Sequence, residues 1–396
     1  MLEGEGAGES GGGLPEAHRT TPGGKLRARG AGIPFDGIPG AFNAITDVPG
    51  VEVGYCTLIR GHGPLIVGQG PVRTGVTAIL PRGVRNGASA VWAGVFSLNG
   101  YGEMTAFPWV DEAGRCEGPI TLTNTHSVGV ARDATIQWLV AQASNRNALD
   151  SQFWLPVAAE TYDGELNDIN GHHVHAEHVF QAIDSAQGGR LEEGSVGGGT
   201  GMRCYQFKAG SGTASRRIEV AGKTFHVGAF VQANFGRRYM CTIAGIPVGQ
   251  HLPVIEAQAN TEETGSIIAI VATDAPLLPH QLRRVARRPA LAMSRSGGVS
   301  AHYSGDLFLA FTTRNSHAIR EADRISRLEY LPDQQLTPIF EATIQAVDEA
   351  IVNSFVGTPA MTGKDGHTIQ GFPVNEARKL LRRHRRLVDY DRKGSS

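Results

Sequence analysis

The residues best placed to do chemistry stand at one point in the chain, in Thr264-Gly265-Ser266-Ile267-Ile268-Ala269-Ile270-Val271-Ala272-Thr273-Asp274-Ala275-Pro276. A Gly-Ser bond heads an apolar, β-branched run that reads as a buried strand. Glycine reaches backbone shapes closed to other residues, and a serine hydroxyl beside such a bond can attack the preceding carbonyl. Scission after Gly265 would leave Ser266 as a new N-terminus carrying a hydroxyl and an α-amine. With a reference pKa near ~7.7–8.0, that amine can take the hydroxyl proton at neutral pH. The pair is then nucleophile and base in one residue. On local chemistry alone, Gly-Ser before a strand also fits an ordinary turn.

A second polar residue closes another apolar run, Val231-Gln232-Ala233-Asn234-Phe235-Gly236. The Asn234 amide could donate to a developing oxyanion, or cap a turn. Upstream lie Pro156-Val157-Ala158-Ala159-Glu160-Thr161-Tyr162-Asp163-Gly164 and Leu166-Asn167-Asp168-Ile169-Asn170-Gly171. Glu160 and Tyr162 share one side of an extended chain. Ser304-Gly305-Asp306 precedes Leu307-Phe308-Leu309-Ala310-Phe311 and brings Ser304 and Asp306 together at the same period, unless it is a plain turn.

These segments, with Gly197-Gly198-Gly199-Thr200-Gly201-Met202 and Ala272 to Leu282, occur in an order and spacing that resembles the self-processing serine aminopeptidases. That family includes the L-aminopeptidase/D-esterase and the β-peptidyl aminopeptidases. The resemblance runs from about Gly37 to about Phe355. It implies an α+β chain folded as a four-layer αββα sandwich of the ornithine-acetyltransferase-like kind, cut between Gly265 and Ser266. It implies that Ser266 is the nucleophile, that Asn234 serves the oxyanion with Tyr162 beside it, and that Glu160 binds the substrate ammonium. Ser304 and an acidic partner would hold the nucleophile's amine; that partner is glutamate in some members and the shorter Asp306 here. The substrates implied are short peptides, amides or esters, with no cofactor or metal, in a homotetramer. Two alternatives stay open: an acyltransferase of the ornithine acetyltransferase kind, which uses threonine at the cut bond, and an uncleaved scaffold or binding protein.

Three other patterns suggest different chemistry. His172, His173, His175 and His178 could surround a metal, but no cysteine or HExxH context supports it. The run Gly197 to Gly201 has neither a following Gly-Lys-Ser/Thr nor a complete GxGxxG, so it reads as a loop giving backbone access to the site. Gly8-Glu9-Ser10-Gly11-Gly12 matches GxSxG without the strand and helix such a nucleophile elbow needs.

The elements around these residues alternate without a regular βαβ rhythm. Strands are expected near 75–81, 90–96, 217–220, 225–232, 267–272 and 301–313. Helices are expected over 127–143, with Ile136, Leu139, Val140 and Ala143 on one side, and from Pro279 until Pro289 ends or kinks it. A further helix starts at a Thr337-Pro338 cap and closes at Gly357. In 396 residues, 41% hydrophobic and 19% charged content suits a large core, and a net charge of −1 gives no whole-chain attraction to nucleic acid or membranes. The four cysteines are widely spaced, as reduced thiols are. Residues 1–36, rich in Gly, Glu, Arg and Pro, read as a disordered lead-in; 37–374 as one catalytic unit; 375–396 as a basic, solvated helix and tail. The lead-in has no apolar core for export, which points to the cytoplasm.

Overall fold

A computed structural model of the chain describes residues 13–142, 153–252, 265–316 and 325–390. The strands are β1 (Glu52–Arg60), β2 (Val72–Leu80), β3 (Val91–Gly100), β4 (Arg115–Cys116), β5 (Ile120–Asn124), β6 (Ala158–Thr161), β7 (Arg203–Cys204), β8 (Phe207–Lys208), β9 (Ser211–Val220), β10 (Lys223–Asn234), β11 (Ser266–Thr273) and β12 (Gly305–Thr312). The helices used below are α1 (Glu16–Arg19), α2 (Phe107–Ala113), α3 (Val128–Gln142), α4 (Ala176–Asp184), α5 (Pro279–Ala286), α6 (Pro289–Arg295), α7 (Thr337–Val356) and α8 (Val374–Arg383).

One sheet has the order β1-β2-β5-β6 and the other β4-β3-β12-β11-β10-β9. Three apolar layers hold the stack together. Ile268 and Ile270 of β11 meet Ile79 and Leu122 between the sheets. Ile267, Ala269 and Val271 face outward onto Leu282 of α5, Met293 of α6 and Ile351 of α7. Val76, Ala78 and Leu80 of β2 pack beneath α3 and α4. Side chains alternate across a strand, so a strand covered on both faces must be apolar throughout. The run after Ser266 is continuous for that reason, and the result is the four-layer αββα sandwich.

Several elements depart from the sequence expectation. Pro289 neither ends nor kinks the preceding helix; α5 stops at Ala286 and Pro289 opens α6. Thr337 is the first residue of α7, and no side chain caps that end. On α3 the buried face carries Ala131, Ala134, Thr135, Trp138 and Leu139, while Val140 is exposed. Small residues on that face admit the Trp138 ring, which a search for large aliphatics overlooks. Ala143 lies outside the described residues.

The largest correction concerns the lead-in, for residues 13–36 are folded. Ala28, Ala31 and Ile33 are buried. The Arg27 guanidinium makes paired 3.0 Å bonds to Glu193 and also donates to the carbonyls of Ala17, Phe42, Asn43 and Thr213. Arg29 makes 2.8 and 2.9 Å bonds to Glu349, which also receives Arg216 at 2.9 Å. Composition counts arginine as solvating; here the arginines are the anchors. Residues 1–12, including the GxSxG match, lie outside the described residues. At the other end, Ala377 and Leu381 of α8 are buried in the core next to α7, so the basic helix is docked by its apolar side. No helix among the described residues is long and apolar enough to cross a membrane.

Burial alone would raise the Glu349 carboxyl, but the Arg29 and Arg216 guanidiniums outweigh it and hold it at about 2. Its stabilising contribution is therefore complete above the ordinary glutamate range and lost as pH falls through about 2. Glu349→Gln leaves two guanidiniums buried without their counter-charge. The expected cost is about 3–5 kcal/mol in urea unfolding at neutral pH. A change under ~1 kcal/mol would show that the cluster does not anchor the N-terminal segment.

Candidate active site

Ser266 is the first residue of β11, and the antiparallel register with β10 sets it directly opposite Asn234. Its side chain shares the face of Ile268 and Ile270, towards the other sheet. Gly265 is pressed against the end of β10, where an added Cβ would lie 2.2 Å from the Asn234 carbonyl oxygen and 2.9 Å from Phe235 Cα. Only glycine lets the backbone pass so close.

The amide of Asn234 is gripped at both ends. Nδ2 donates to the Tyr162 carbonyl at 2.9 Å, and Oδ1 accepts from the Arg203 backbone N–H at 3.0 Å. One Nδ2 hydrogen remains available. The Gly305 N–H, at the head of β12, donates to the Ser266 hydroxyl at 3.0 Å. Gly305 reaches this position because it is packed against Gly102; a Cβ would lie 2.6 Å from the Tyr101 carbonyl oxygen and 2.7 Å from Gly102 Cα.

Glu160 comes from β6 at the edge of the other sheet and is 3% exposed. Its carboxylate accepts the Glu103 N–H at 2.9 Å and the Thr125 hydroxyl. Burial pushes its pKa up, against the lowering effect of those two bonds. Tyr162 follows β6 and is 42% exposed. Burial, with the negative charges of Asp163 and Glu165, raises its phenol pKa. At neutral pH it is therefore a donor. Ser266, Glu160, Tyr162, Glu103, Tyr101 and Tyr303 line one cavity of about 660 Å³. Its charged lining groups are carboxylates, which suits a cationic guest.

Ser304 and Asp306 lie behind this cavity. Asp306 accepts from Ser304 at 2.7 Å and from the Ser300 hydroxyl, and pairs in register with Ile267. Burial raises its pKa, opposed by the Ser300 and Ser304 hydroxyls and the Ile267 N–H. The hydrogen bond from this segment to the Ser266 hydroxyl comes from Gly305. Sequence reasoning passed over Gly305, Glu103 and Arg203 because each contributes a backbone N–H, which no side-chain type advertises. The glycines at 100, 102 and 305 were the available sign of a close backbone approach.

The four histidines divide among separate tasks. His173 bonds Asp168 at 2.9 Å, and His172 stacks on His126. His175 and His178, close to Glu177, sit at the start of α4, where His178 Nδ1 accepts the His175 N–H at 2.9 Å. The ligand atoms of His175, Glu177 and His178 lie within 4.8 Å of one another, so this exposed group, apart from the Ser266 cavity, is the one trio among the described residues with the spacing to hold a metal ion. The glycine run is buried: the Gly197 and Gly198 N–H groups donate to Thr57 and Thr77, and a Cβ on Gly199 would lie 2.3 Å from Ser211 N. Those two N–H groups are turned inward, so they do not form a phosphate cradle.

The chain is similar to known proteins over most of its length. The Peptidase family S58 pattern matches residues 43–369. The β-peptidyl aminopeptidase BapA of Sphingosinicella microcystinivorans is 49% identical over 375 residues, 91% of this chain and 93% of that protein. The structure of the L-aminopeptidase D-Ala-esterase/amidase from Ochrobactrum anthropi, called a prototype for the serine aminopeptidases and a new variant among the Ntn-hydrolase fold, superposes with a TM-score of 0.84. It is 42% identical and covers 91% of this chain and 99% of its own. A Burkholderia β-aminopeptidase gives a TM-score of 0.78 at 43% identity, over 90% and 99% of the two chains. Full-length similarity at this level, in both sequence and fold, makes the chain a member of peptidase family S58 and an aminopeptidase.

Proposed function

We propose that the protein cuts itself between Gly265 and Ser266 and then removes N-terminal residues from short peptides, amides or esters through an acyl-enzyme on Ser266. The observation that carries this reading is the shared cavity, in which a serine hydroxyl at a strand head faces the same space as a buried glutamate. In maturation the Ser266 hydroxyl oxygen attacks the Gly265 carbonyl carbon, the peptide C–N bond breaks, and an ester forms with a free α-amine. Water then hydrolyses the ester, leaving the Gly265 carboxylate and a free Ser266 hydroxyl.

In turnover the α-amine of Ser266 accepts the hydroxyl proton as the oxygen attacks the substrate carbonyl. The Gly305 N–H holds the Ser266 hydroxyl oxygen in place for attack, while the remaining Asn234 N–H and the Tyr162 hydroxyl donate to the oxyanion. Such donors each contribute about 2.7–4 kcal/mol where they act in the transition state. The protonated amine then gives its proton to the leaving group, and water releases the acyl group. Glu160 holds the substrate ammonium, which restricts the reaction to free N-termini. Asp306, reached by Ser304 despite its shorter side chain, fixes the loop that carries Gly305. A serine at the cut bond and relatives that are aminopeptidases support hydrolysis over acyl transfer.

Intact mass of purified protein is expected to show two fragments dividing between Gly265 and Ser266, and one uncut chain for Ser266→Ala. Gly265→Ala should slow the cut, because its Cβ cannot fit against Asn234. An uncut wild-type chain after prolonged incubation would defeat the mechanism.

Glu160→Gln should lower kcat/KM for L- or β-alanyl p-nitroanilide about 10- to 100-fold, the value of a charge-assisted hydrogen bond. Ammonium binding needs the carboxylate. Wild-type kcat/KM should fall in acid in two steps, one as the Ser266 α-amine protonates and one as Glu160 does, the latter at a higher pH than an ordinary glutamate gives because burial raises its pKa. In Glu160→Gln the step of the amine alone should remain, and a profile that keeps both steps would remove Glu160 from substrate recognition.

A further inference from the structure

Lys208 is fully buried, which is rare for a lysine. It closes the two-stranded hairpin of β7 and β8, where it pairs with Arg203. The turn between them places Tyr205 and Gln206 at φ of 51° and 61°, a left-handed conformation costly for such side chains. The hairpin is therefore held by its surroundings rather than by its own preferences. The Lys208 ammonium donates to the Met202 carbonyl at 2.8 Å and to the Ala209 carbonyl at 2.6 Å, closing the hairpin base across both chain directions.

The hairpin lies along the end of β10. The Tyr205 N–H donates to the Phe235 carbonyl at 2.7 Å, and the Arg203 N–H to Asn234 Oδ1. Met202, the residue that Lys208 holds, also accepts the Thr161 hydroxyl on its sulfur at 3.0 Å, next to Glu160. The other end of the Asn234 amide is tied to the Tyr162 carbonyl, whose neighbour Asp163 is likewise fully buried. Asp163 accepts from Asn167 Nδ2 at 3.0 Å, and its carbonyl accepts the Leu166 and Asn167 N–H groups at 3.1 Å. Two buried ionisable residues thus secure the two backbone segments that grip one amide. Burial drives the Lys208 pKa well down, and the Asp163 carboxylate acts against that effect.

We propose that Lys208 is a positioning residue for the reaction: by clamping the Met202 and Ala209 carbonyls it sets the Arg203 N–H that fixes the Asn234 amide, and so aims the free amide hydrogen at the oxyanion. This rests on the role given to Asn234 above. An amide held only at the Tyr162 end can swing about its remaining bond. The loss would fall on the transition state, where the oxyanion is fully formed, and not on substrate binding.

The test uses Lys208→Met, which keeps length and apolar bulk, and Lys208→Gln, which keeps a donor amide. Each is also combined with Asn234→Ala. Wild-type hydrolysis of L- or β-alanyl p-nitroanilide and its loss in Ser266→Ala are measured first, so failure of the catalytic reading appears there and failure of this one only in the Lys208 variants. Rates are taken per cut chain. Lys208→Met should lower kcat about 10- to 100-fold with KM within about twofold, and Lys208→Gln should recover part of the loss. In the Asn234→Ala background, Lys208→Met should cost no more than about twofold further. Multiplying effects, an unchanged kcat, a loss confined to KM, or failure of both single variants to fold would overturn the proposal, the last by making Lys208 a residue of the fold alone.

Discussion

The structure depends first on the register between β10 and β11. It sets Asn234 against Ser266 and is locked by side chains on both faces of β11, since Ile268 and Ile270 fill the inter-sheet layer while Ile267 and Val271 fill the layer under the helices. A slip of one residue would turn Ser266 towards the helices and exchange the two apolar sets. The chemistry at the strand head is therefore fixed by the packing of residues that take no part in it. The neighbouring parallel pair, β11 with β12, then brings the Gly305 N–H to the hydroxyl by the same means.

The buried carboxylates differ in what faces them: burial outweighs the single Arg27 guanidinium at Glu193 and raises its pKa, whereas Glu349 meets more than one. Glu349, in the frame, is buried between guanidiniums and lies far below the ordinary range, at about 2. Glu160 and Asp306, at or behind the cavity, are buried among hydroxyls and N–H groups, and burial raises both. Asp163, one residue beyond Tyr162, is pushed by burial to about 7. Glu349, set between guanidiniums, fastens the frame, whereas Glu160 meets only dipoles and lines the cavity, which suits the ammonium role proposed for it.

What was legible in the sequence follows this division. The doubly covered strands announced themselves as unbroken apolar runs, and Ser266, Asn234, Glu160 and Tyr162 stood at their ends. The structure brings these residues to the junction of the two sheets. Contributions from the backbone were not legible, because the Gly305, Glu103 and Arg203 N–H groups depend on tertiary approach and not on residue type. The N-terminal segment misled for a related reason: Arg27 and Arg29 gain their value only from Glu193 and Glu349, far away in sequence. Composition can count charges, but it cannot pair them.

The same arginines have a consequence for a cut molecule. Glu193 precedes the Gly265–Ser266 bond and Glu349 follows it, so neighbouring residues of the N-terminal segment are bonded to both pieces, and β10 and β11 are hydrogen-bonded across the break. Such a molecule would fold as one chain but, once opened, would have to reassemble as two, with the added entropic cost of a bimolecular encounter. Refolding would become dependent on concentration, and working lifetime would be set by the height of the unfolding barrier instead of the equilibrium between states. Maturation would then act as a one-way ratchet.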